Sequence, residues 1–528
     1  MNALAQAVDT AVEIDVAELT IADVQAAFAG GTYTSEQLTA AHLARIEKYE
    51  PYYNAFTFMA PDPLADARAA DARRAAGKSL GPLDGVPVVV KEAMDMVGLP
   101  STGGWAPLSS LAGGFDLMPG VDAPVVARLK AAGAVILGKT NIPAFSYDGA
   151  RANTSWDGPT YNAVNRDIAP GASSSGTGTA ISASFAVVGL AEETGGSIQN
   201  PGAAQSLVSV KPTFALIPNT GVAPLAGSTR DVVGPHARTV KDAALLMDVL
   251  AGYTPADPKT VAAIGNVPEG GYTSLLSDTA LKGKRLGLYG PGWRTKPVAE
   301  ETARLYAAAI DEVKARGAVL VDDPFAGTAF ASLAKGAAGF DARGLESIIH
   351  DFENFLRRMG PGVAATSFKA LAAMLPSDPF GTEGTFAKLT EGSPVVQKSL
   401  EDPTLPPDLS EFYAARMAYL KLFNKVMADN QLDGLVFPQS EGPLPGVFEK
   451  AEYLATTVSE INIAGLPGVT VPAGQYTNGA PFALIFVGKM WSEAELLAFA
   501  YDYEQATHHR LVPKLVETPY PVPAANDA

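Results

Sequence analysis

From Val86 onward, short apolar runs alternate with stretches of helical period, and this alternation most limits the folds open to the chain. "VPVVV" is followed by the amphipathic "APVVARLKAAGA", then "AVILG", a helix from about Gly178, and "AVVGLA". The pattern resumes at "RLGLYG", with a helix from about Glu301 to Arg316 and then "AVLVDD". It returns in "DGLVFP", "GVTVPAG" and "FALIFVG", closed by the helix "SEAELLAFAYDYEQAT". Strands that read as unbroken apolar runs are buried on both faces, and the helices between them supply the cover. The expectation is an α/β fold: one large domain over 1–528, with a mixed, mostly parallel central sheet covered on both faces by helices.

The flanks read differently. Residues 18–80 read as helices: Thr34 to Gln37 fits a capping box ahead of Leu38, Leu43 and Ile46, and Asp62-Pro63 opens a helix that stops at Gly77. The alternating core covers 81–320 and 426–515. Between them, 325–425 is punctuated by Pro and Gly, with helical pieces and no clear strand. Such an excursion from a core is a place where a pocket is shaped.

Composition removes several functions. The formal net charge of −17 leaves no basic footprint for phosphate backbones, so no nucleic-acid partner is expected. The absence of Cys excludes disulfides, thiolate metal sites and a cysteine nucleophile. The N-terminal "MNALAQAVDTAVEIDVAELT" lacks a basic n-region, and no apolar run reaches membrane-spanning length. A cytoplasmic protein without membrane attachment is expected.

Two motif matches carry no chemistry. "GAVILGKT", Gly133 to Thr140, fits a phosphate-loop pattern, but its four intervening residues are Ala, Val, Ile and Leu, which belong inside a strand. Ser332 to Lys335 fits S-x-x-K without the companion S-D-N or K-T-G. A Ser-His-Asp hydrolase would need a nucleophile elbow, and no G-x-S-x-G occurs. Of the five histidines, His42, His508 and His509 read as surface residues and His350 falls in the excursion; only His236 lies in a Gly/Pro loop of the core. Their scatter, without His/Glu ligand spacing, also argues against a catalytic metal.

Lysine remains as a base, and a lysine base has to be held neutral by burial in a low-dielectric site. Lys91, directly after an apolar strand in "PVVVKEAMDM", is the candidate, although a strand-end lysine can also reach back to solvent. A nucleophile needs backbone amides converging on one point. "ETGGSIQNP", Glu193 to Pro201, offers Gly195 and Gly196 followed by Ser197. In "PGASSSGTGTAISASFA", Pro170 to Ala186, any of several hydroxyls could stand between the lysine and the nucleophile.

At these residues the chain resembles the amidase signature hydrolases. The family core runs close to P-G-G-S-S-G-G-S, then G-T-D-T-G-G-S-I-R-x-P, then G-L-K-P-T. This chain reads "PGASSSGTGTAISASFAVVGLAEETGGSIQNPGAAQSLVSVKPT" in the same order and spacing. "GPLDGVPVVVKEAMDMVGLPSTGG", "GAVILGKTNIPAFS", "STRDVVGPHARTVKDAALLMDVLAG" and "NIAGLPGVTVPAG" agree similarly. The resemblance implies a Ser–cis-Ser–Lys triad with Ser197 as nucleophile, Ser173 as the bridging serine in a cis peptide, and Lys91 as base. It places the oxyanion hole on the N–H groups of Thr194, Gly195, Gly196 and Ser197; no cofactor and no metal is expected. The chain departs from the pattern at Ala172 and Ser175 (usually Gly), at Glu92 and Glu193 (often Asp), and at Gln199 (often Arg).

The implied activity is hydrolysis of a small carboxylic amide through an acyl-enzyme on Ser197. The Phe, Leu and Met content of "FENFLRRMG" and "LAAMLPSDPF" predicts an apolar or aryl substrate group contacting the excursion. The alternatives are the glutamine-hydrolysing subunit of a tRNA amidotransferase and a Ser-His-Asp esterase. The expected partner is the amide substrate, and the sequence leaves a homodimer open.

Overall fold

The apolar runs form the strands of one sheet. The structure is a computed structural model, and it describes residues 13–333, 341–381, 384 and 386–521. The first twelve residues and Lys335 of the S-x-x-K match lie outside these. The strands are β1 (Phe56–Met59), β2 (Pro87–Lys91), β3 (Val135–Thr140), β4 (Val188–Glu193), β5 (Val208–Lys211) and β6 (Val232–Ala237). They continue with β7 (Arg285–Leu288), β8 (Val319–Val321), β9 (Gly434–Pro438), β10 (Gly468–Gln475) and β11 (Pro481–Val487). Their order across the sheet is β1-β3-β2-β4-β6-β5-β10-β11-β9-β7-β8.

Alternate residues of each strand go to opposite faces, so an all-apolar strand needs cover on both. Val88, Val90, Ile136, Val188 and Leu190 join a layer with the helices Pro124–Ala131, Val240–Leu250 and Glu493–Thr507. Their neighbours Val89, Val135 and Leu137 join another with the helices Ser35–Tyr53 and Ser175–Ser182. At the other end of the sheet, Val436, Leu484 and Phe486 return to the first layer, while Leu435, Phe437, Ile485 and Val487 pack with Ser410–Asp429 and Val458–Ala464. Each such side chain contributes roughly 1.5–3 kcal/mol by leaving water.

The expected mostly parallel sheet needs correction. Six of the ten strand ladders are antiparallel and four are parallel. Strand–helix–strand alternation does produce parallel strands here: β2 and β3 flank the helix Pro124–Ala131, and β7 and β8 flank Glu300–Ala315. The helix Gln199–Ala204 likewise joins β4 to β5, but β6 inserts between them and pairs antiparallel with both. The β10–β11 hairpin adds further antiparallel ladders.

Local expectations fare variously. Thr34 accepts from Gln37 N in a capping box, and Asp62 caps a helix opening at Pro63. "VILGKT" is buried strand β3, with Lys139 donating to the Pro100 carbonyl rather than facing a phosphate. The N-terminal helices are interrupted by β1, a four-residue edge strand paired with β3 and too short to announce itself. His42, expected on a surface, is buried, and burial holds its imidazole down at about 3. Among the described residues, no helix is long and apolar enough to cross a membrane.

Glu50 yields a stability prediction. The residue is partly exposed, but its Oε2 is buried without a partner while Oε1 accepts from Phe56 N at 2.6 Å. Burial pushes its carboxyl from 4.5 up to about 8. The native state therefore keeps a proton that the unfolded chain releases. The resulting stability is fully present below pH 4.5 and lost as pH rises through about 8, with a slope of at most about 1.4 kcal/mol per pH unit. Glu50→Gln removes that slope. Its gain in melting temperature over wild type should grow from pH 5 to about pH 8 and level off above it, and a constant difference would show that Glu50 is ionised in both states.

Candidate active site

Parallel pairing sets Lys91 beside an acid. β2 and β4 run in register with Val90 opposite Leu190, which brings Lys91 level with Ala191 and one position short of Glu192. Lys91 is fully buried and its Nζ donates to Ser173 Oγ at 2.7 Å, to Glu192 Oε2 at 2.7 Å and to the Glu192 carbonyl at 3.1 Å. Ser173 follows a cis peptide bond from Ala172, just ahead of the helix Ser175–Ser182. Gly171, with φ +74°, lets this loop lie against Pro201, where a Cβ would come within 2.5 Å of the proline Cα.

The second serine sits on a turn clamped from below. Glu193 Oε2 accepts from Ile198 N at 2.8 Å and Gln199 N at 3.1 Å, and its Oε1 accepts from Gln199 Nε2 at 2.5 Å and Asn462 Nδ2 at 2.7 Å. Gln199 Oε1 in turn accepts from Thr457 Oγ1 at 2.7 Å. The neutral amide at position 199 thus bridges Glu193 to Thr457, and the turn keeps its support without an arginine. A cation remains in the neighbourhood: buried Lys211 lies close enough for Glu193 to favour its ammonium form, although burial holds that amine down at about 7. Gly196 has φ +96°, and a Cβ there would meet Asn200 Nδ2 at 2.7 Å. Ser197 is 5% exposed, and its hydroxyl makes no hydrogen bond to another described residue. The backbone N–H groups of Gly195, Gly196 and Ser197 are likewise unspent on other described residues.

Ser197, Thr194 and Gly195 line a cavity of about 370 Å³. Its other walls include Tyr147, Asp148, Arg151, Leu225 and Arg294. No described residue of 325–425 lines it, so the excursion does not contact the cavity as expected. The excursion's aromatic residues bury one another instead, because Phe352, Phe355, Phe368, Phe380 and Phe386 form a core of their own. That core reaches the cavity indirectly. Phe386 packs edge-on against Tyr147 at 5.4 Å and against Phe145 at 4.9 Å, where Phe145 and Ser146 both adopt positive φ.

Three polar residues of the site escaped the sequence reading. Besides Glu192 they are Thr194 in its side-chain role and Asp231. Thr194 Oγ1 lies 2.6 Å from Asp231 Oδ1 and 3.3 Å from Glu192 Oε1. Burial, reinforced by the Glu192 charge, pushes the Asp231 carboxyl up to about 7. The signal for Glu192 was present: a charged residue ending an apolar strand is as anomalous in "VGLAEE" as in "PVVVK". Asp231 gave no such signal, since it approaches from a separate loop.

The histidines do not form a triad with Ser197. His236 is the one nearest in sequence logic, but its Nε2 bonds the Ile198 carbonyl at 2.9 Å, its Nδ1 has no partner among the described residues, and burial holds it down at about 4. His350 bonds the Pro403 carbonyl and His509 pairs with Glu312.

A buried lysine on a loop serine, beside a glycine-rich serine turn on a mixed α/β sheet, defines an amidase signature enzyme. The chain belongs to the Amidase family, whose model matches residues 37–497. The native peptide amidase of Stenotrophomonas maltophilia superposes with a TM-score of 0.76 at 29% identity, covering 94% of this chain and 99% of that one. An amidase family protein from Bacillus anthracis str. Ames gives 0.76 at 29% identity, covering 95% and 93%. A subunit of the glutamyl-tRNA(Gln) amidotransferase of Chloroflexus aurantiacus (strain ATCC 29366 / DSM 635 / J-10-fl) is 32% identical over 515 residues, covering 94% of this chain and 99% of that protein. The protein is a hydrolase of carbon–nitrogen amide bonds.

Proposed function

We propose that the enzyme cleaves a small carboxylic amide through an acyl-enzyme on Ser197, releasing a carboxylate and ammonia or an amine. The observation that carries this reading is the 2.7 Å contact of buried Lys91 with Ser173, together with the cavity that Ser197 lines. Lys91 accepts a proton from Ser173, Ser173 accepts one from Ser197, and Ser197 attacks the carbonyl carbon. The amides of Thr194, Gly195, Gly196 and Ser197 are the donors for the developing oxyanion. The proton returns through Ser173 to the leaving nitrogen, and water then releases the acyl group. Labelling with a fluorophosphonate followed by mass spectrometry tests this. The adduct is expected on the peptide carrying Ser197, and an adduct on another serine would overturn the assignment.

The acyl group is apolar or aryl in this reading, because Tyr147, Leu225, Tyr453 and Val458 offer apolar surface beside the serine. The excursion then acts through Tyr147. Phe386→Ala should raise KM for aryl amides roughly tenfold, the effect of about 1.4 kcal/mol of lost packing, while Ser197 is still labelled by a small fluorophosphonate. An unchanged KM would detach the excursion from specificity.

The similarity to a glutamyl-tRNA(Gln) amidotransferase component favours glutamine as a second substrate class. Glutaminase activity, measured alone and with the other components of such an enzyme, separates the two readings. Light scattering on the purified enzyme tests the homodimer.

A further inference from the structure

Glu192 is the acid that the serine–lysine mechanism does not use, and it touches the base directly. Its Oε2 lies 2.7 Å from Lys91 Nζ, with the two side chains 2% and 0% exposed. Its carbonyl takes a second contact from the same amine and a third from Ser174 Oγ at 3.1 Å. The Lys91 amine is therefore held by Ser173 on one side and by both ends of Glu192 on the other. An anion so placed, away from water, acts on a neighbouring amine far more strongly than a surface carboxylate does.

Resting on the serine–lysine reading above, we propose that Glu192 is the positioning residue of Lys91. Its carboxylate aims the amine at Ser173 and stabilises it once it holds the relayed proton, and so sets the pH range in which the relay runs. In the relay, the Ser197 O–H bond breaks as Ser173 Oγ gains a proton, and the Ser173 O–H bond breaks as Lys91 Nζ gains one. The resulting ammonium is paired with Glu192 until the proton passes back through Ser173 to the leaving nitrogen. No proton enters or leaves the set during acylation.

Other charged groups face the pair. Asp231, on the loop before β6, reaches Glu192 through the Thr194 hydroxyl, and Arg230 Nε donates to the Thr194 carbonyl. His236 on β6 lies within the field of Lys91, and Asp351, from the helix Ile348–Arg358, acts on Asp231. Lys259, whose amine burial holds below its usual range, lies within the fields of Asp257 and Asp231. These remain in place when Glu192 is replaced, so the comparison isolates the one carboxylate on the amine.

The test is the pH dependence of kcat/KM for wild type and Glu192→Gln on one amide. The acid limb of the variant is expected to move down by about one to three pH units, the displacement caused by removing an adjacent opposite charge. Its plateau is expected to fall at least about tenfold, because the relayed proton is less well held. A limb that stays in place while activity merely drops would assign Glu192 a packing role and overturn the proposal. If Glu192→Gln does not fold, Glu192→Thr carries the same expectation and the same refutation. Failure of the underlying reading looks different: the wild type itself would then not be labelled on Ser197.

Discussion

A Ser197→Ala variant is expected to fold as the wild type does and to lose amide turnover by about 10⁴- to 10⁶-fold. The structure separates these two consequences. The hydroxyl makes no hydrogen bond to another described residue, so its removal orphans none of them. The turn is held by other atoms: Glu193 on the Ile198 and Gln199 amides, and Asn200 N on the Gly196 carbonyl at 2.7 Å. A melting temperature within a degree or two of wild type should accompany the loss. Lys91→Ala would also abolish turnover, but it strands the Glu192 carboxylate in the interior, which costs about 3–5 kcal/mol. Ser197→Ala therefore gives the cleaner measurement. Turnover surviving above about a thousandth of wild type would mean that another group supplies the nucleophile.

The parts of the fold legible in the sequence were those whose signal is local. "PVVVK", "VILGKT" and "FALIFV" each carry enough consecutive apolar residues to require burial on both faces, and each is a strand. β5 and β6 were not anticipated as strands. "VSVK" and "VVGPHA" are short and are interrupted by Ser, Gly or Pro, and only their places between longer strands make them part of the sheet. Strand direction is hidden in the sequence for the same reason, since the insertion of β6 between β4 and β5 is a non-local event. The excursion shows the opposite failure. Its aromatic content was plain, but the same Phe side chains can line a pocket or fill a core, and nothing in their spacing separates the two.

At the site, position in the chain was informative and pairwise contact was not. Lys91 stands out as a charge at the end of an apolar strand, and it is buried there. Burial alone does not describe its surroundings, because a carboxylate sits on the amine. Seeing that partner from sequence required knowing that β2 and β4 are neighbours in register. Gln199 illustrates the converse. As a letter it reads as a lost charge beside Ser197, whereas its amide spans Glu193 and Thr457, donating to the first and accepting from the second.

The three adjacent serines should respond unequally to alanine. Ser173→Ala removes the group that receives the Lys91 hydrogen bond and, in the proposed relay, the only carrier between base and nucleophile. A turnover loss of about 10²- to 10⁴-fold is expected, with little change in KM. Ser174 Oγ faces the backbone of Glu192, donating to its carbonyl at 3.1 Å and accepting from its N–H at 3.3 Å. Ser175 Oγ donates to the Gly171 carbonyl at 2.7 Å. The first ties the serine loop to β4 and the second closes the loop on itself, and neither touches the lysine amine. Their alanine variants should each lose about 1 kcal/mol of stability and stay within about tenfold of wild-type turnover. Of these two, Ser174→Ala should affect rate more, because the carbonyl it holds is also an acceptor for Lys91. Steady-state kinetics with thermal melts on all three variants reads this order. Equal, mild effects would mean that the proton reaches Lys91 by a route other than Ser173.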